Sequence, residues 1–160
     1  MSVITITTTS RGFTLIEVMI ALVIFSVGLI GLAGMQAVSV QDNTRSYARV
    51  QANFLAYDIL DRMRANSDQA ITYGSYTIAL GANPNATLCN GTAATCSPAQ
   101  LAASDLTEWK NTLALTLPAG DGSVTHTGSS LTDPFVITVS WKDDLNPASA
   151  PLSISITSGL

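Results

Sequence analysis

The sequence predicts an α+β protein: a long N-terminal helix packed against a small antiparallel sheet, with a second, short helix. Three observations predict it. No proline occurs before Pro84, and an uncharged apolar run over residues 18–35 opens a helix that nothing of that kind interrupts. Beyond that run Ala48, Ala52, Leu55, Ala56, Ile59 and Met63 recur at three- and four-residue steps, which is one face of an amphipathic helix. Past residue 120 the period changes to two, the signature of half-buried strands.

The apolar run meets the length rule for a membrane-spanning helix. Glu17 stands at its entrance, where a lone carboxylate would cost roughly 2.5–3.5 kcal/mol at mid-bilayer, so it calls for a partner. Arg11 and Gly12 precede the run. A secretory signal has its charge first and a cleavage site after a much shorter apolar core. The run is therefore expected to remain as an anchor, with Arg11 favouring a cytoplasmic amino end. Gly28, Gly31 and Gly34 sit within it at three-residue steps, where small residues permit close helix approach or local bending.

The helix is expected over residues 13–66, ending at Arg64-Ala65-Asn66 with basic residues at the C-terminal dipole and Asn66 as a cap. At 1.5 Å per residue that is about 80 Å, more than a small domain can cover. Asp58–Arg62 and Asp61–Arg64 have helical ion-pair spacing. Residues 72–80 read as loop and then a short strand, and residues 81–97 as a Gly-, Asn- and Pro-containing loop. Pro98 opens the second helix, with Ala102, Leu106, Trp109 and Leu113 on one face. Asp105-Leu106-Thr107-Glu108 has the pattern of a capping box at an internal start or kink. Pro118-Ala119-Gly120-Asp121-Gly122 is a turn. Strands are expected over residues 123–127, over Phe135-Val136-Ile137-Thr138-Val139-Ser140-Trp141, and where Leu152, Ile154 and Ile156 alternate with Ser153, Ser155 and Thr157. The last two read as an antiparallel pair in a sheet of three or four strands.

Charge and composition exclude several functions. Residues 67–160 carry Lys110 and Lys142 against seven acids, a net −5, and the whole chain is −4. An acidic soluble part without a Lys/Arg run does not suit nucleic acid. Cys89 and Cys96 are the two cysteines. If they lie outside the cytoplasm they read as one disulfide; free thiols and a metal site are the alternatives. Zinc needs four ligands, and the only histidine, His126, is far away in sequence. His126 reads as a surface residue, Asp143-Asp144 as a solvated turn, and Trp109 and Trp141 as core anchors. No catalytic triad, phosphate loop, cofactor motif or metal motif is present.

Gly12-Phe13-Thr14-Leu15-Ile16-Glu17 followed by an apolar run resembles the class III signal of type IV prepilins and type II secretion pseudopilins. The resemblance implies cleavage between Gly12 and Phe13 by the prepilin peptidase and N-methylation of the new Phe13 amine. It also implies that Glu17 pairs with the amino terminus of a neighbouring subunit, which supplies the missing partner. Asp61-Arg62-Met63-Arg64-Ala65-Asn66, the cysteine pair, Asp105-Leu106 with Trp109, Leu117-Pro118-Ala119-Gly120 and Val136-Ile137-Thr138-Val139-Ser140-Trp141 are together similar to minor pilins of the PilV type, also named type IV pilus modification proteins. A cysteine pair in mid-chain, with none in Ser158-Gly159-Leu160, fits a minor rather than a major subunit.

The organisation implied is a leader peptide (1–12), a membrane and assembly half of the helix (13–40), an amphipathic half (41–66) and a small α+β head (67–160). The implied role is non-catalytic: priming of type IV pilus assembly with other minor pilins, near the tip. The implied partners are the prepilin peptidase, the other minor pilins, the major pilin and the inner-membrane assembly platform. The chain would sit in the inner membrane with its head in the periplasm and then enter the extracellular pilus, without a cofactor. Rival expectations are a type II secretion minor pseudopilin and a membrane-anchored periplasmic adhesive or binding domain.

Overall fold

A computed structural model describes residues 12–72, 74–90, 95–126, 133–142 and 150–160. The leader through Arg11 and the Asp143-Asp144 turn lie outside the described residues. The elements run α1 (Leu15–Ala65), α2 (Ser67–Ile71), α3 (Pro98–Thr116), β1 (Asp121–His126), β2 (Phe135–Trp141) and β3 (Leu152–Ser158). The chain divides into two units, Met1–Asn43 and Thr44–Leu160.

In the first unit, α1 begins where Thr14 turns in. The Glu17 backbone N–H donates to the Thr14 carbonyl at 3.1 Å and is shared with the Thr14 hydroxyl at 3.4 Å, which closes the first turn. Thr14-Leu15-Ile16-Glu17 thus ends in an acid in the first turn, where the helix dipole favours it. Residues 12–43 are all exposed. An 18-residue window in this helix reaches a mean hydropathy of 2.6, long and apolar enough to cross a membrane by length and composition. The unit gives Gly28, Gly31 and Gly34 no neighbour within 4 Å of a Cβ position.

In the second unit, the remainder of α1 places Ala52, Ala56, Ile59, Leu60 and Met63 in the core, with Ala48 and Leu55 at its margin. This is the stripe read from the sequence, widened by Leu60. The helix ends one residue before Asn66. That residue opens the five-residue α2, an element not foreseen because five residues carry too little periodicity to register.

The start of α3 corrects the sequence reading. Its capping box is Ser97 with Gln100: the Ser97 hydroxyl accepts the Gln100 N–H at 3.3 Å, and the Gln100 side chain accepts the Ser97 N–H at 2.9 Å. Pro98 occupies the first helical position, where no donor is lost. Asp105 and Glu108 cap nothing; α3 runs unbroken through them, and both turn to Arg62 of α1. The face of Ala102, Leu106, Trp109 and Leu113 is buried as its spacing requires.

The sheet has three antiparallel strands in the order β1-β2-β3. Phe135, Ile137, Val139 and Trp141 of β2 face the core, and Leu152, Ile154 and Ile156 of β3 pack against it half-buried. The short strand expected over residues 72–80 is reduced to one bridge, between Ile78 and Val124. The first sheet strand starts two residues earlier than expected, at Asp121.

That earlier start depends on glycine. A Cβ on Gly122 would collide with the indole of Trp109 and, at 2.9 Å, with Leu113 Cδ1. β1 can lie on α3 only where it has no side chain. Gly122→Ala should therefore destabilise the head by about 1–3 kcal/mol through overpacking. Thermal denaturation of the full chain in detergent, followed by near-ultraviolet circular dichroism of the buried tryptophans, checks this. An unchanged midpoint would refute the contact.

Candidate functional site

Two groups of residues carry the chemistry, one in each unit. In the first, Phe13, Glu17, Ala21 and Phe25 follow one another at four-residue steps. With Val18 and Leu22 they line a shallow apolar depression on one helix face, small at Ala21 and bounded by the two phenylalanines. Phe13 is 83% exposed and Glu17 is exposed. The Glu17 carboxylate has no partner among the described residues. A carboxylate on an otherwise uncharged apolar face can do one thing well, which is to receive a cation from another molecule once water is excluded.

In the second unit, Arg62 gathers carboxylates from two helices. Its Nε lies 3.1 Å from Asp58 Oδ2; its Nη1 lies 2.7 Å from Glu108 Oε2 and 3.3 Å from Asp105 Oδ1. Burial of the guanidinium opposes its charge, but the hydrogen bond it donates to Glu108 and the three negative neighbours outweigh this and raise its pKa. The network continues inward. Tyr76 donates its hydroxyl to Asp105 Oδ2 at 2.6 Å and accepts from Asn66 Nδ2 at 3.3 Å. Burial, and then the hydrogen bond to Asp105, raise the Tyr76 pKa well above the ordinary tyrosine value. Asn66 also donates to the Pro98 carbonyl at 2.8 Å. One polar chain thus ties α1, the start of α2, the segment around Tyr76 and α3 from Pro98 to Glu108.

A second charged pair is buried more deeply. Lys110 Nζ lies 2.5 Å from Asp121 Oδ1 and donates to the Ala79 carbonyl at 3.1 Å. Asp121 also accepts the backbone N–H groups of Gly81 (2.6 Å) and Gly122 (2.8 Å). Burial alone would raise its pKa; the hydrogen bond from Lys110 and the two backbone donors reverse this and hold it below the ordinary aspartate value.

Cys89 and Cys96 are joined by a disulfide. The stretch leading into it is pinned along α3 by two buried hydroxyls: Ser104 Oγ accepts the Cys89 N–H at 2.8 Å and Thr107 Oγ1 accepts the Ala86 N–H at 3.0 Å. His126 is not the plain surface residue its surroundings in sequence suggest. It is half-buried, stacks on Phe135 at 4.5 Å and sits 3.1 Å from the Asp133 carbonyl. Among the described residues no group of three or more His, Cys, Asp or Glu side chains could hold a metal ion.

Sequence reasoning missed three of these groups: the reach of Arg62 across 43 and 46 residues, the Lys110–Asp121 pair, and the hydroxyls of Ser104 and Thr107. One signal was there to use. Lys110 follows Trp109 on the inward face of an amphipathic helix, and a lysine in that place needs an acid.

The chain thus joins an exposed helix, long and apolar enough to cross a membrane and carrying a single carboxylate at its start, to a head with a core of its own. Comparison with known families gives the class a name. Residues 7–33 match the family model described as the prokaryotic N-terminal methylation motif, and residues 34–107 match that of the type IV pilin Tt1218. The two adjoining matches support the type IV pilin superfamily, a class of structural subunits, and the fold is that of a type IV pilin. The methylation motif and the long apolar helix fit a pilin anchored in the inner membrane and then assembled into the pilus. Neither the curated proteins nor the solved structures contain a match to the chain.

The geometry separates two arginines only two residues apart, which fall on nearly opposite sides of α1. Arg62→Ala strands three carboxylates and should cost about 2–3 kcal/mol, below the 3–5 of a fully buried pair because Arg62 is partly solvated. Arg64→Ala removes an exposed pair with Asp61 and should cost no more than about 0.5 kcal/mol. Urea titration of both variants checks the contrast.

Asp121 adds a pH dependence. Its folded-state carboxyl is harder to protonate than the same group in the unfolded chain, so its stabilisation is whole above the unfolded value of about 4 and declines as pH falls through the lower folded value. Asp121→Asn should flatten this acid limb in urea titrations between about pH 2 and 5, and an unaltered limb would contradict it.

Proposed function

We propose that this chain is a minor pilin of the PilV type that primes type IV pilus assembly together with other minor pilins, at or near the tip. The observation that carries the reading is the uncovered first part of α1: an exposed apolar helix whose only charge, up to residue 41, is Glu17. Such a surface is stable in lipid before assembly and among the helices of other subunits afterwards.

In this reading residues 1–12 are a leader removed by the prepilin peptidase between Gly12 and Phe13, and the Phe13 amine is methylated. Residues 13–40 anchor the subunit and then join the fibre core. Residues 41–66 and 67–160 form the amphipathic half of the helix and the head. Glu17 receives the amino-terminal cation of a neighbour. The Cys89–Cys96 disulfide staples one loop of the head; closing a loop of this length contributes roughly 2.5 kcal/mol in the chain-entropy account. The subunit meets the major pilin and the assembly platform through its helix, and the other minor pilins through helix and head.

Mass spectrometry of the mature N-terminus, in cells with and without the prepilin peptidase, tests the processing. A methylated Phe13 terminus that depends on the peptidase is expected, and a chain still beginning at Met1 in wild-type cells would overturn the reading. Glu17→Ala should be processed normally yet be lost from sheared fibres, and should co-purify with other minor pilins at least about tenfold less, a difference of some 1.4 kcal/mol. Normal entry into fibres would remove the role given to Glu17.

A further inference from the structure

The two edges of the head's sheet are treated differently. β1 is met on its outer side by the segment at Ile78, which exchanges both backbone hydrogen bonds with Val124 at 2.9 Å each. This exchange sets the phase of the whole sheet. Val124 directs its N–H and C=O outward, so its pairing with Ile137 is of the non-hydrogen-bonded kind. Ile137 then directs its own groups to β3, where Ile156 stands opposite. By alternation, Ser153, Ser155 and Thr157 direct their N–H and C=O groups away from β2. These groups make no hydrogen bond to any described residue, and all three residues are exposed.

An open edge of this kind is ordinarily blunted by charge, proline, a bulge or shortness. β3 has none of these within it. Leu152-Ser153-Ile154-Ser155-Ile156-Thr157-Ser158 is seven residues without a charge, in a head that is otherwise acidic. Pro151 lies just before the strand and leaves its ladder intact. The strand is also self-complementary. Folded back on itself about Ser155, it sets Ile154 against Ile156 and Ser153 against Thr157, so that apolar meets apolar and hydroxyl meets hydroxyl at its centre, with only the end pair of Leu152 and Ser158 mixed. The centre of that symmetry falls on the middle one of the three outward-facing residues. A copy placed antiparallel in this register would satisfy all six outward backbone groups of the three residues, with no like charges opposed.

We infer that β3 is a docking edge for β3 of a second copy of this chain, paired antiparallel about a two-fold axis through Ser155. The two three-stranded sheets then join into one of six strands, by the strand-addition mode in which main-chain bonds supply the attraction and alternate side chains the register. The inference rests on the sheet alone and not on the role in pilus priming.

Cysteine cross-linking of the full chain in detergent micelles tests it, because position rather than mere association is read. In the proposed register Ser155 faces its own counterpart at a Cα separation of about 5.5 Å, within disulfide range. Ser153 faces Thr157, and two copies of Ser153 are roughly 14 Å apart at 3.4 Å per residue. Ser155→Cys should therefore give about tenfold more disulfide-linked dimer than Ser153→Cys or Thr157→Cys alone. Mixing the Ser153→Cys and Thr157→Cys chains should restore the cross-link. A lysine at the axis, introduced as Ser155→Lys, opposes two like charges and should abolish the cross-link formed by Ser153→Cys and Thr157→Cys chains that also carry it, with the circular dichroism of the head unchanged. Equal cross-linking at residues 153 and 155, or none at either, overturns the inference. So does capture of β3 by a strand of a different subunit in place of its own copy.

Discussion

The head depends on how closely α3 approaches its two neighbours, and Trp109 sets that approach. Its indole N–H donates to the Leu55 carbonyl of α1 at 2.8 Å, while its ring occupies the space that a side chain at residue 122 would need. A large ring held on one side by a hydrogen bond and on the other by a glycine can take up one position only. The next residue repeats the device with charge: Lys110 reaches Asp121, the neighbour of Gly122. Two successive residues of α3 thus meet two successive residues of β1, one pair by packing and one by ion pairing. Asp105, one turn earlier, and Glu108, immediately before Trp109, hold Arg62. The short helix is the element around which the head is organised, although α1 is the longer.

The elements legible in the sequence are those whose periodicity reports burial on one face. β2 is the clearest case: Phe135, Ile137, Val139 and Trp141 alternate with smaller or polar residues, and the strand is found over those seven residues with that face inward. The inward face of α3 and the stripe on α1 were legible for the same reason. What was not legible depends on partners far apart in the chain. Asp105-Leu106-Thr107-Glu108 has the letters of a capping box, yet a local pattern cannot show that Arg62 competes for both acids. Gly122 belonged to a turn signal in sequence; its true role, leaving room for an indole, exists only once α3 is in place. Of the N-terminal site, the awkward position of Glu17 is plain from hydropathy, and the Thr14 contact accords with the Thr-x-x-Glu spacing.

The two units satisfy their polar groups in opposite ways. Among the described residues no buried side-chain nitrogen or oxygen lacks a hydrogen-bond partner, although Asp105, Lys110, Ser104 and Thr107 are all buried. Such completeness is what a head needs if it is to stay folded on its own, since each unpaired buried group would cost about 1–3 kcal/mol. The first unit makes no comparable provision. Its valines, leucines, isoleucines and phenylalanines are exposed, and nothing within that unit covers them.

On the proposed role of Glu17, this asymmetry would let a single acid near the start of α1 have a large effect. In a purely apolar helix, lipid and a bundle of like helices are nearly equivalent surroundings, because lipid tails are as apolar as leucine, and there is little to draw the subunit from one to the other. A carboxylate breaks the equivalence. Close to the membrane surface it can remain hydrated, and in a bundle it is tolerated only beside a cation with which it is paired. In the proposed assembly, packing at Ala21 and at Gly28, Gly31 and Gly34 would then act on helices whose axial register the proposed charge pair fixes. On that proposal the apolar surface supplies adhesion without direction, and the one charge supplies the direction.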